Sequence, residues 1–481
     1  MTPPAPRAAG SFLVVALAWC APALADVSLP AVLSDGMVLQ RERPAAVWGW
    51  AAAGEKVAVL LGGKQAETQA DREGRWSVRI DPPAAGGPYE LTVKGTNAIT
   101  LKDVLVGEVW LCSGQSNMEW PVRSADDPQR EIAAANHPRL RLFHVPHVVA
   151  AAPRGDVSAN WQSCSPQTVA GFSAVAYFFG RHLQRELDVP IGLIDSSWGG
   201  TRIEPWTPSA GFAAVPELAR LADEAAGVAA GAKPPQNTSP TALYNGMIHP
   251  LVPYGIRGAI WYQGESNRGD GTAYRDKMKG LILGWRSVWN DQDLPFYFVQ
   301  LAPYRYDGQP DALGPVWEGQ RLSLAVKNTG MAVTTDIGNI QDIHPRNKQE
   351  VGRRLALWAL ARTYRKTDIV YSGPLFRSMN VEHGKARLEF DHAAGLKSSD
   401  GQPLRWFDVA GADGRLLPAD ATIDGEAVVV SNESVPEPRL VRYGWSGWLD
   451  SQPNFVNAAG LPASPFRAGD QPVQRGGAGE R

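Results

Sequence analysis

Val104-Leu-Val-Gly-Glu-Val-Trp-Leu-Cys-Ser-Gly-Gln-Ser-Asn-Met118 starts as an apolar run rich in β-branched residues and ends in small and polar ones. That pattern predicts a buried strand feeding a tight turn over 113–117. Open α/β sheets bind ligands outside the carboxyl ends of their strands, so the turn holds Ser116 where a ligand would lie. A serine in that place is a candidate nucleophile if a histidine reaches it. A Ser-Gly-Gln-Ser turn alone is usually only a turn. The functional reading rests on three partner stretches, 194–206, 260–267 and 342–345.

Working outward, strands and helices alternate. Residues 140–146, 189–195, 259–263, 295–301 and 331–335 read as strands. Residues 175–187, 274–289, 314–327 and 348–362 carry helical spacing. This alternation predicts an α/β domain with a parallel sheet covered on both faces. The interval 211–239, rich in Ala, Pro and Gly, reads as an irregular insertion near the strand ends. Before this domain, short β-prone runs at 37–40, 45–50, 56–61, 76–80 and 89–93 suggest a small sandwich, serving as a scaffold or lid or as a sugar-binding module. Strand-like pieces return after about residue 364, at 387–390, 404–409, 426–430 and 440–443. The expected organisation is a signal peptide over 1–25, an N-terminal β domain over 26–103, the catalytic domain over 104–365, a C-terminal β-rich region over 366–467 and a disordered tail over 468–481.

The first segment has a positive charge at Arg7, an apolar core over 12–19 and a small-residue cleavage site at Ala23-Leu-Ala25. That is the pattern of a cleaved secretory signal, and it implies a periplasmic or secreted protein. It is too short to span a bilayer, and no later stretch is apolar for long enough. Over 481 residues the formal net charge is −2, which gives no electrostatic case for nucleic acid or an anionic membrane. The 17 tryptophans fit either large cores or sugar stacking. Cys112 and Cys164 would remain after cleavage, as a disulfide or as two buried thiols. No His, Cys, Asp or Glu grouping has metal-ligand spacing, so no metal is expected.

A serine hydroxyl needs a neighbouring base, and His is the usual one because its pKa lies near neutrality. His344 has the best context of the 8 histidines. It stands in a loop before a helix, with Asp342 two positions earlier to support an imidazolium as the acid of a triad does. Acyl transfer also needs donors for the oxyanion. The candidates are the backbone N–H of Ser116, a backbone N–H at Gly199-Gly200, and a side-chain amide, Gln263 or Asn267. His249 is a further candidate to line the site.

These motifs carry a resemblance. Trp110-Leu-Cys-Ser-Gly-Gln-Ser-Asn-Met118, Trp198-Gly-Gly-Thr-Arg-Ile-Glu-Pro-Trp206, Leu243-Tyr-Asn-Gly-Met-Ile248, Trp261-Tyr-Gln-Gly-Glu-Ser-Asn267 and Asp342-Ile-His-Pro-Arg-Asn-Lys348 resemble the sialate O-acetylesterase family of SGNH-type hydrolases. Ser34-Asp-Gly-Met-Val-Leu-Gln40 and Gly460-Leu-Pro-Ala-Ser-Pro-Phe466 extend the likeness over nearly the whole mature chain. The resemblance implies a three-layer αβα, flavodoxin-like SGNH domain with flanking β-sandwich-like regions, and hydrolysis of acetyl esters on carbohydrate without a cofactor. Carried onto this chain, Ser116 is the nucleophile, His344 the base and Asp342 the acid, with Gly200 and Gln263 joining Ser116 in the oxyanion hole. SGNH enzymes in general place the acid three residues before the histidine, where this chain has Gln341. Asp336 and Glu265 are the fallback acids.

Asn117, Arg202, Glu265, Asn267 and His249 are the candidate substrate-binding residues. Arg202 would match a sialic acid carboxylate, or else pair with Glu204. An acetylated plant polysaccharide is the alternative substrate, and a degenerate sugar-binding protein the non-enzymatic one.

Overall fold

The structure is a computed structural model, and it describes residues 26–231, 234–306, 308–446 and 452–469. The expected signal peptide, and all but the first two residues of the expected tail, lie outside the described residues. The organising strand, β7, is longer than the motif that announced it. After β1 (Val38–Gln40), β2 (Ala45–Trp50), β3 (Lys56–Leu61), β4 (Lys64–Gln69), β5 (Arg75–Ile80) and β6 (Gly86–Lys94), β7 runs unbroken over Ala98–Gly114. Its first half pairs antiparallel with β6 and parallel with β1. Its second half is a central strand of the parallel sheet.

That sheet adds β8 (His137–His144), β9 (Trp161–Cys164), β10 (Ile191–Ser197), β11 (Gly258–Tyr262), β12 (Phe296–Val299) and β13 (Thr329–Ala332), in the order β13-β12-β11-β7-β10-β8-β9. All neighbours are parallel except β9, which closes the β8 edge antiparallel. The helix Ala174–Leu187 packs on the helix Lys348–Trp358, while Tyr274–Trp289 and Gly314–Leu322 complete the covering. The strands are apolar on both faces because both are covered; β10, β11 and β12 are buried throughout.

The boundary expected at 103/104 therefore falls inside a strand. One hydrophobic core extends from Val27 through the N-terminal sheets to Leu360. The C-terminal region is built differently. Two four-stranded antiparallel sheets enclose their own core of Phe390, Phe407, Tyr443, Phe455 and Phe466. The interval 211–239 is not simply irregular. It contains the helix Ala219–Ala229, whose Ala225, with Leu218 just before the helix, meets Phe212 and Val215 in a small separate core. Alanine, read as a loop signal by its company of Pro and Gly, acts here through its high helix propensity. Cys112 and Cys164 are both free and buried. Among the described residues no helix is long and apolar enough to cross a membrane.

Candidate active site

The ends of β7, β10 and β11 meet in register, with Gly114 opposite both Ser197 and Tyr262. Gly114 is obligatory there. A Cβ on it would lie 2.1 Å from the Tyr262 carbonyl oxygen, and its φ is +144°. The chain then turns, and the short helix Ser116–Glu119 begins with Ser116 itself. Being first in that helix, Ser116 has no intrahelical acceptor for its N–H. None of the described residues supplies one.

The second strand end brings Trp198-Gly199-Gly200 alongside. A Cβ on Gly199 would stand 3.0 Å from Glu119 Oε2 and 3.3 Å from the Ser116 Cβ, so any side chain there would crowd the two segments. Gly200 turns with φ +74°, and its N–H likewise lacks an acceptor among the described residues. The loop is fastened from the helix Ser116–Glu119. Glu119 accepts the Gly199 N–H at 2.6 Å, and its other oxygen lies 2.9 Å from His147 Nε2. The His147 ring stacks on Trp198 at 4.2 Å.

His344 arrives from the loop before the helix Lys348–Trp358, with Nε2 2.9 Å from Ser116 Oγ. Its ring lies flat on Trp120, 4.7 Å between centroids and 13° from parallel. Burial, and then the nearby Lys348 cation, hold its pKa below the usual value of 6.5, while Asp342 opposes them. The imidazole is thus kept neutral and ready to take a proton.

Asp342 does not sit on the ring. Its carboxylate accepts the backbone N–H of His344 at 2.9 Å. Two residues is the spacing at which Asp closes a turn on its own backbone, and that local bond holds the side chain. The fallback acids are also engaged elsewhere. Asp336 takes two 2.6 Å bonds from Arg354. Glu265 receives Asn117 Nδ2 at 2.5 Å. Among the described residues, no carboxylate hydrogen-bonds a ring nitrogen of His344.

The side-chain amides need the same correction. Gln263 is fully buried, donates to Thr201 O and Asn267 Oδ1, and accepts the Tyr274 hydroxyl. Asn267 is held by Glu204, Asp270 and the Ile203 N–H. Neither has a donor left for an oxyanion. Gln115 does. Its Oε1 accepts the N–H groups of Gly264 and Ser266 at 3.3 Å, and its NH₂ has no partner among the described residues.

Arg202 is not free either. It binds Glu204 and both oxygens of Asp270, and Lys277 joins the same carboxylates at 2.7 Å. Asn117, expected to touch substrate, is 1% exposed and binds three segments together instead. Besides Glu265, it donates to Ile343 O in the histidine loop and accepts Lys348 Nζ at 2.5 Å. Burial lowers Lys348 to about 7 and raises Glu265, whose second oxygen is buried without a partner. His249 lies away from this group, beside Arg154 O and the tryptophans of the N-terminal region.

Sequence reasoning thus missed Trp120, Glu119, His147, Gln115 and Lys348. Gln115 and Lys348 stood inside the quoted motifs, flanking residues that drew the attention. Trp120 was one tryptophan among many.

Residues 106–361 match the model of the carbohydrate esterase family described as sialic acid-specific acetylesterase. The mouse sialate O-acetylesterase is 30% identical, over 91% of this chain and 93% of its own length. The human sialate O-acetylesterase is 31% identical, over 91% of each chain. The crystal structure of a carbohydrate acetylesterase from Xanthomonas citri is 42% identical, with TM-score 0.84 over 92% of this chain and 99% of that one. The chain belongs to the sialic acid-specific acetylesterase family of carbohydrate esterases.

Proposed function

We propose that this carbohydrate acetylesterase removes acetyl groups from sialic acid hydroxyls, with Ser116 as nucleophile and His344 as general base. The observation that carries the assignment is the 2.9 Å contact between Ser116 Oγ and His344 Nε2, beside two backbone N–H groups without an acceptor among the described residues. Ser116 Oγ attacks the acetyl carbonyl as His344 Nε2 takes its proton. The oxyanion is met by the N–H groups of Ser116 and Gly200, and Gln115 supplies the third donor in place of Gln263. His344 returns the proton to the departing sugar oxygen. Water, deprotonated by the same nitrogen, then attacks the acetyl-serine, and the bond to Ser116 Oγ breaks as His344 returns the proton to it, releasing acetate.

In this reading Trp120 does by stacking what a triad acid does by hydrogen bonding, fixing the plane of the imidazole. Asp342 completes a Ser-His-Asp set at one remove. It orders the loop through the backbone and favours the imidazolium through its charge. Residues 1–25 read as a signal that delivers the enzyme to the periplasm or beyond.

Sialic acid is favoured by the relatives named sialate O-acetylesterase. A neutral acetylated glycan is the second reading, because Arg202 is already neutralised by Glu204 and Asp270. Acetate release from O-acetylated sialic acid and from acetylated xylo-oligosaccharide, by the wild type and by Ser116→Ala, tests both. A folded Ser116→Ala protein that still turns over would refute the nucleophile. A wild type confined to the neutral substrate would refute the sialate reading.

A further inference from the structure

The face of β2 that carries Trp48 and Trp50 has no counterpart in the chemistry above. β2 pairs with β5, placing Trp48 opposite Ser77, Gly49 opposite Trp76, and Trp50 opposite Arg75. Cross-strand partners share a face. Val47, Gly49 and Trp76 therefore look into the N-terminal core, while Trp48 and Trp50 look outward. They face the 249–253 segment of the catalytic region and Gly155 across a cavity of about 410 Å³. That is within the roughly 300–1,000 Å³ usual for small-molecule sites.

The indole N–H groups set these tryptophans apart from most of the buried ones, although Trp76, which also lines the cleft, is itself buried without a partner for its N–H among the described residues. Trp110, Trp161, Trp206, Trp285, Trp317 and Trp358 are buried, and each gives its N–H to a protein acceptor. Trp48 and Trp50 are half-buried, and neither N–H has an acceptor among the described residues. Trp48 at least leans edge-on against Tyr254. Among the described residues, Trp50 makes no ring contact with another aromatic side chain and stands outside the hydrophobic clusters. The walls add complementary groups. Gln69 gives its NH₂ to Gly54 O, and its carbonyl oxygen has no donor among the described residues. His249 Nδ1 is turned to Arg154 O, which accepts, so Nε2 is left as an acceptor.

An apolar ring face with donors and acceptors around it is complementary to a pyranose, with its C–H face and its ring of hydroxyls. We infer that the Trp48–Trp50 cleft between the N-terminal β region and the catalytic region is a second carbohydrate subsite, which holds a pyranose unit of the glycan whose ester is cleaved. This rests on the carbohydrate specificity of the family. It does not depend on Ser116 being the nucleophile. The cleft shares no lining residue with the Ser116 group. The segment from His147, on Trp198, to Gly155, at the cleft wall, joins the two.

The test is calorimetric titration of Ser116→Ala protein with two probes, xylohexaose and 3′-sialyllactose, repeated with Trp50→Ala and Trp50→Phe added. The expected result is binding of at least one probe, weakened tenfold or more by Trp50→Ala and only partly by Trp50→Phe. The probe that binds identifies the cleft's sugar as neutral or sialylated. In the active protein, Trp50→Ala should leave aryl acetate hydrolysis unchanged and raise KM on acetylated oligosaccharide without lowering kcat. Binding that is indifferent to Trp50, or no binding of either probe, would overturn the subsite. Loss of aryl acetate hydrolysis in the wild type would instead strike the catalytic assignment.

Discussion

Two polar clusters flank the strand ends, and they are built oppositely. Around Arg202, two cations meet two carboxylates, and Asn267 completes the set. Around Asn117, one amide stands between Glu265 and Lys348, one carboxylate oxygen is unpartnered, and burial brings the lysine down to about 7. The first cluster is saturated, and such networks hold loops in place. The second is under-satisfied, and it touches both the Ser116 segment and the His344 loop. Buried polar groups without full pairing are costly in a low dielectric, and they concentrate where chemistry needs them. Charge in a motif therefore says little by itself; what it is paired with decides its role.

Substitutions can break this contrast. The largest effect belongs to the residue the second cluster serves. His344→Ala should lower kcat by about 10⁴–10⁶-fold with little change in melting temperature, as removal of a base does elsewhere. Lys348→Met comes next and tests the cluster directly. Wild-type kcat/KM should fall on the acid side with a midpoint below 6.5, because His344 must be neutral to act and its pKa is lowered. Removing the Lys348 cation lets that pKa rise, so the acid limb should move to higher pH. A limb that stays put would separate Lys348 from His344.

The same variant has a signature in stability. Lys348 is lowered to about 7 in the folded protein from 10.5. Between those values the unfolded chain binds the extra proton, so stability should rise with pH across that window. The slope should diminish in Lys348→Met, as read by denaturant titration at several pH values.

Asp342→Asn should cost only about 10-fold in kcat, against about 10⁴ for an acid bonded to the imidazole, because its carboxylate bonds the backbone and not the ring. A loss near 10⁴ would place that carboxylate on Nδ1 in the working enzyme. The saturated cluster should give the smallest catalytic effect. Arg202→Gln should leave kcat within about threefold and lower stability by about 1–2 kcal/mol, less than for a deeply buried pair because the arginine is partly exposed. A large KM increase on sialylated substrate alone would return Arg202 to the binding site.

Much of this was legible in the chain. β2, β3 and the helix Tyr274–Trp289 begin and end where periodicity placed them. The Ser116 turn and the His344 loop meet as their residue types required. The failures have physical causes. β4, Lys-Gln-Ala-Glu-Thr-Gln, is a solvent-facing strand without an apolar face to betray it. The 103/104 boundary failed because composition changes along β7 while the strand does not end. Asp342 stands two residues before His344, but its side chain is captured by a local backbone bond. The partner of Arg202 that settles its role, Asp270, lies 68 residues away and outside every quoted motif.

The central claim, that Ser116 is the nucleophile activated by His344, is tested most directly by covalent labelling with diethyl 4-nitrophenyl phosphate. Peptide mass analysis and acetate release would be followed together. The account predicts one phosphoryl group on Ser116, appearing in step with the loss of activity and absent from the His344→Ala protein. Full inactivation with the label on another residue, or a fully labelled Ser116 with acetate release intact, would contradict it.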